Sequence, residues 1–200
     1  MSLLKETCAL SNKMKITVNL EKRENFSQNH FRFYMKYSSF VFRSLKRPSF
    51  QKFLSWMLRR EKIDAQVVRA VHVKVFPLRR KNGKGLAGNC APAEGKIRIY
   101  PKTLKFCRTF AQKFGKNTLL AYAANRARAA LIHELLHLKY VGDEKTVRGL
   151  AKEYFFVFIQ KQFAQSSNKL WVCTLIFRAK TIENPSRQFF EKEAPQCASI

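Results

Sequence analysis

Leu131 to Tyr154 reads LIHELLHLKYVGDEKTVRGLAKEY, and the pentad His133-Glu134-Leu135-Leu136-His137 inside it is what the rest of the fold has to accommodate. On a helix, residues four apart stand about 40° from one another and one turn along, so both imidazoles project to one side and can bind a single Zn²⁺. Glu134 is offset by about 100° from His133, outside the ligand pair but near enough to take a proton from a metal-activated water. Ile132, Leu135, Leu136 and Leu138 make this helix apolar enough to be buried beside a sheet. Buried imidazoles without partners are costly, so a ligand role explains their position.

Catalytic zinc takes three protein ligands and keeps one position open. The third must come from beyond this helix. Gly142 breaks the chain just after it, and Asp143-Glu144 opens the next helix, where a carboxylate can turn back toward the histidines. Glu144 is preferred because Asp143 is better used as the helix N-cap. Glu153 lies well down that helix and ranks behind both, and Glu183 is too distant in sequence to judge.

Working outward, the pattern predicts an α+β fold, with a small antiparallel or mixed sheet packed on the HExxH helix and its successor. Alternation marks strands at 14–20, at 67–78 ending on Pro77, and at 95–101, giving a two- or three-stranded sheet. Residues 21–29 read as a loop and 79–85 as a turn with a cationic tip. Pro48 opens a helix running to Glu61, with Phe50, Phe53, Leu54, Met57 and Leu58 at helical spacing. The aromatic, basic stretch 31–42 reads as helix or strand. The Ala-rich segment 117–140 predicts the HExxH helix, and Val147, Leu150, Ala151, Tyr154, Phe155 and Phe158 predict a second one to about Phe163. Domain boundaries are expected at 1–47 (an N-terminal extension, partly ordered), 48–166 (the metal-bearing domain) and 167–200 (a C-terminal segment, docking or inhibitory), with an apolar piece at 170–177.

The 200 residues carry 39 Lys+Arg against 13 Asp+Glu, a net charge of +26. Such a surface attracts acidic partners, and charge alone implies weak nonspecific nucleic-acid binding at low salt. Clusters at Lys46-Arg47, Arg59-Arg60, Arg79-Arg80-Lys81 and Lys84, with the aromatics of 31–42, are the candidate footprint. Five cysteines without a CxxC pair argue against a disulfide framework or a cysteine zinc ribbon. No signal peptide and no transmembrane run is read, so a cytoplasmic protein with reduced thiols is expected.

The stretch 131–154 resembles the zinc-binding core of gluzincin-type metallopeptidases, especially the small archaeal minigluzincins, with SprT-like and ImmA-like domains as neighbours. His133, Glu134 and His137 match the motif, and Glu144 with Val147, Leu150 and Ala151 resembles the family's following helix. The likeness covers roughly residues 67–163. It implies a zincin-like domain in which His133, His137 and Glu144 hold zinc while Glu134 acts as general base in peptide-bond hydrolysis. Tyr140, Tyr154 and His72 are candidates to help polarise the carbonyl. GKIRIYP resembles the family strand beside the active-site helix, which implies a peptide or protein substrate lying extended along 95–100 at a sheet edge. Arg148 stands where larger gluzincins have an aspartate, Tyr140 and Gly142 do not fit the metzincin spacing, and an SprT-like third histidine is missing. The rival readings are a basic nucleic-acid-associated protein with a structural zinc and an SprT-like protease acting on DNA-bound proteins. The resemblance also implies a shallow cleft that a terminal segment can block, with Glu183, Glu191 and Glu193 of the C-terminal segment drawn back onto the basic body.

Overall fold

A computed structural model describes residues 14–20, 27–78 and 85–162. Among them the chain order is β1 (Lys15–Asn19), α1 (Gln28–Leu45), α2 (Pro48–Glu61), β2 (Ala70–Lys74), β3 (Gly88–Ala91), β4 (Lys96–Ile99), α3 (Leu104–Phe114), α4 (Lys116–Leu136) and α5 (Glu144–Gln162). The class is α+β, as the periodicities predict. The sheet is four-stranded and mixed, in the order β1-β2-β4-β3. β1, β2 and β4 run parallel, and β3 is antiparallel to β4 at one edge.

Side-chain alternation sends Val71, Val73, Ile97 and Ile99 to one face, where they join Leu131, Ile132 and Leu135 of α4 and Phe155 and Phe158 of α5 in one core. Each such large apolar side chain, fully buried, contributes about 1.5–3 kcal/mol. Thr17, His72 and Arg98 alternate to the other face, in register with one another. There the Thr17 hydroxyl meets His72 Nδ1 at 2.9 Å, and Arg98 binds Glu94 at 2.7 Å.

The stretch 31–42 is helix throughout. Tyr34, Tyr37, Ser38, Val41 and Leu45 are its buried positions, three or four residues apart, and burial of that stripe is what selects helix over strand. β1 and α1, which fall in the expected N-terminal extension, belong to the sheet and the core. β2 is shorter than expected. A 3₁₀ turn occupies Ala65–Val67, and after Lys74 the chain bends so that Val75 and Phe76 form a second apolar cluster with Tyr34. Two elements carry no expectation from the sequence. α3 is capped by Thr103, whose hydroxyl accepts from Phe106 N, and buries Phe106, Cys107 and Phe110. β3 has the composition Gly-Asn-Cys-Ala and is a strand because β4 pairs with it.

α4 carries the pentad as far as Leu136, with His137 as its cap, and is held by two buried arginines as well as by its apolar faces. Arg126 donates to the carbonyls of Tyr100 at 2.6 Å and Leu86 at 3.1 Å, fastening the helix to the end of β4 and the start of β3. Arg128 lies against the rings of Phe50 and Phe158 and donates to Ser44 O and Asn125 Oδ1. Burial above all, with Arg47 adding repulsion, lowers its pKa to about 10. α4 ends at Leu136, four residues before the expected Tyr140, and turn geometry follows. Among the described residues no helix is long and apolar enough to cross a membrane. The basic turn residues 79–84, the apolar piece 170–177 and Glu183, Glu191 and Glu193 lie outside the described residues.

Candidate metal centre

His133 sits in the last turn of α4, and His137 caps that helix with φ −62° and ψ −18°, its N–H donating to His133 O at 3.3 Å. The backbone stays close to helical through the pentad, so the two rings share a side, with centroids 4.8 Å apart and planes at 86°. The chain then reverses. Gly142 takes φ +81°, a conformation that favours glycine, and Asp143 starts α5 by accepting from Thr146 N at 3.0 Å through its side chain. Asp143 is therefore used as the cap, and Glu144 becomes the first residue of α5.

The capped turn brings Glu144 back to the histidines. Its Oε2 is 3.2 Å from His137 Nε2 and 3.7 Å from His133 Nε2, and the two imidazole Nε2 atoms are 3.2 Å apart. Bonds of about 2.0–2.2 Å from a tetrahedral zinc put ligand atoms about 3.3–3.6 Å from one another. The donor set, two imidazoles and a carboxylate, and the observed spacings both fit zinc. Among the described residues this is the group of histidine, cysteine and acidic side chains that could hold a metal ion. It is open to solvent, with side-chain exposures of 24%, 23% and 46% for His133, His137 and Glu144.

Arg148 supplies what the resemblance leaves unassigned. Its Nε donates to Glu144 Oε1 at 2.6 Å, so one carboxylate oxygen is engaged and the other faces the histidines. Partial burial works toward a higher Glu144 pKa, but the Arg148 hydrogen bond and the nearby His133 and His137 outweigh it and hold the carboxyl below its usual range. Glu153 is exposed further along α5 and is not part of the group.

Glu134 is buried and points from α4 toward β3. A Cβ built on Gly88 would stand 2.8 Å from Glu134 Cγ and 2.9 Å from its Oε1, so only glycine lets the edge strand lie this close to the carboxylate. Cys90, two residues on, has its thiol pushed up to about 11 by burial and then by the Glu134 charge. Neither β3 nor Gly88 could be found from the sequence, because a Gly-Asn-Cys-Ala run carries no strand signal.

Two expectations are corrected here. β4 lies between β2 and β3, so the ladder on both its sides is occupied and a substrate strand cannot add along 95–100; the edge near the site is β3. Tyr140 and Tyr154 both donate to Glu61, Tyr140 at 2.8 Å, and His72 alternates to the sheet face away from α4, so none of the three is directed at the ligand group. Of the aromatics in 31–42, Phe31 and Tyr34 pack on Phe76, and Phe33 on Tyr34 and Tyr37. Lys46, Arg47, Arg59 and Arg60 remain exposed, with Lys46 over Phe42 and Arg60 over Trp56. No protein-family model, no curated protein and no solved structure matches the chain.

Proposed function

We propose that the protein is a zinc-dependent metallopeptidase of gluzincin-like, zincin-type organisation. The observation that carries this reading is the convergence of His133 Nε2, His137 Nε2 and Glu144 Oε2 within 4.8 Å of one another. Bound there, zinc would supply Lewis acidity, polarising a peptide carbonyl and making water a better nucleophile near neutral pH. His133, His137 and Glu144 would hold it, and Arg148 would keep Glu144 directed inward.

Glu134 would accept the proton of the attacking water at a carboxylate oxygen and return it to the leaving amine. Its burial against β3 supports the role, since a base shielded from bulk water has few competing proton sources. β3, the edge strand among the described residues, would receive an extended peptide by strand addition, its backbone running past Glu134 at Gly88. The excess of basic residues favours acidic stretches in that peptide.

The test pairs zinc analysis with peptidase assay on an unfolded-protein or peptide library. Wild type should contain one zinc per chain and cleave, and Glu134→Gln should keep the zinc while losing about 10²–10⁴-fold in rate. A wild type that holds zinc yet cleaves nothing would favour a structural zinc in a nucleic-acid-associated protein. The net charge of +26 gives the DNA-linked variant its own measurement: cleavage that rises with added DNA and falls with salt.

A further inference from the structure

The turn joining His137 to Glu144 is anchored from outside, by a residue of α2. Glu61 is the last residue of that helix, and its side chain is 10% exposed. Its Oε2 accepts from Tyr140 OH at 2.8 Å and from Lys139 Nζ at 3.1 Å, and its Oε1 accepts from Tyr154 OH. A carboxylate this buried is costly unless its oxygens are satisfied. Among the described residues, the donors that satisfy it come from the ligand-bearing segment. Lys139 and Tyr140 stand on the turn just after His137, and Tyr154 stands on α5, nearly three turns past Glu144.

Gly142, the conformationally permissive point of the connection, lies between the two attachment points. Fixing the chain on both sides of that glycine sets the position of α5 relative to α4, and with it the approach of Glu144 to the histidines. The support itself does not move easily. Met57 and Leu58, within one turn of Glu61, are buried in the main core, and Trp56 packs edge-on against Tyr154.

We infer that Glu61 is a positioning residue for the metal-ligand group: it holds the 138–143 turn and α5 so that Glu144 meets His133 and His137 before any metal arrives. This rests on the metal reading above and extends it to a residue in another helix, 72 positions before His133 in sequence. Partners that orient metal ligands are typically worth about 10–100-fold in metal affinity, and that is the loss expected for Glu61→Gln.

The experiment measures Zn²⁺ affinity by chelator competition, with the full chain at a temperature where every variant is folded by circular dichroism. Four proteins are compared: wild type, Glu61→Gln, Tyr140→Phe and Ser38→Ala. Ser38 is buried and donates to Lys74 O at 3.0 Å, so its loss destabilises the fold away from the ligands and serves as the purely structural control. Glu61→Gln should bind zinc about 10–100-fold more weakly, Tyr140→Phe several-fold more weakly, and Ser38→Ala like wild type. The visible spectrum of bound Co²⁺ should change in Glu61→Gln and stay the same in Ser38→Ala. If Glu61→Gln does not fold, Tyr140→Phe decides, since it removes one hydroxyl and keeps the ring. Wild-type affinity in the Glu61 and Tyr140 variants, or an equal loss in Ser38→Ala, overturns the positioning role and leaves the metal reading standing. A wild type that takes up no zinc overturns the metal reading, and the role with it.

Discussion

The His133–His137–Glu144 group and the Glu61–Lys139–Tyr140–Tyr154 group flank the same turn, yet their polar atoms are balanced in opposite ways. Around Glu61, two hydroxyls and an ammonium donate to one carboxylate, and the positive and negative charges are already together. Around Glu144, two imidazole nitrogens and a carboxylate oxygen face one another, atoms suited to donate lone pairs to a cation. The first group is closed and complete; the second lies nearer solvent and is a set that could hold a metal ion. Buried polar clusters that satisfy themselves hold structure, whereas a convergent set of acceptors near solvent is where chemistry can enter.

The sharpest way to break this contrast is to remove one member from the open group. His137→Ala should abolish stoichiometric zinc, measured by elemental analysis, while the metal-free protein unfolds within about 1 kcal/mol of metal-free wild type. A large loss of apo stability would make the histidines structural after all. Next in size is Gly88→Ala. The new methyl would displace Glu134, and since misplacing a catalytic group by about 1 Å can cost about 10²-fold, peptidase rate should fall to that extent with zinc content unchanged. An undiminished rate would remove Glu134 from its place beneath the edge strand.

The closed group should answer in stability instead. Tyr154→Phe deletes a hydrogen bond to a charged, buried acceptor and should cost about 1–3 kcal/mol in urea unfolding. Glu61 also gives the contrast a pH signature. Burial by itself would raise its pKa, but the hydrogen bonds from Tyr154, Tyr140 and Lys139 prevail and lower it from the ordinary 4.5. A carboxyl whose folded pKa is depressed contributes stability above its unfolded pKa and loses it as pH falls through the folded value. The stability gap between wild type and Glu61→Gln should therefore be widest near neutral pH and shrink as pH falls below about 4.5. A gap independent of pH would mean that Glu61 is not ionised in the folded state. The smallest effect is expected on the outer sheet face, where Glu94 pairs with Arg98 and Lys96 in the open. Glu94→Gln should leave the unfolding midpoint unchanged, as exposed ion pairs generally do.

The open group was far more legible in the sequence than the closed one. His133, Glu134 and His137 stand at fixed helical spacing, and Gly142 with the capping Asp143 marks the reversal that returns Glu144; all of this is local. Glu61 reads as a surface glutamate at the end of a basic helix, because its partners lie 78 to 93 residues away and no periodicity links them. The same division runs through the fold. β1, β2, β4, α2, α4 and α5 carry their own alternation or apolar stripe. β3 becomes a strand through pairing, and the aromatic stretch of α1 becomes a helix through packing. α3 is the exception, since Thr103 followed by Phe106, Cys107 and Phe110 carries a local cap and stripe.

The capped reversal at Asp143 sets two helix ends against each other across the ligand group. α4 presents its C-terminal carbonyls there, equivalent to about half a negative charge, and α5 presents its N-terminal amides, equivalent to about half a positive one. For a protein of net charge +26, drawing in a divalent cation means working against a repulsive far field. The end of the 21-residue α4 would turn that field locally in a cation's favour, while the Arg148 hydrogen bond and the nearby histidines hold the Glu144 carboxyl below its usual range. Because such dipole effects fade within a single turn and are screened by salt, cation capture here would be decided in the last few ångströms, and added salt would speed the approach by damping the distant repulsion.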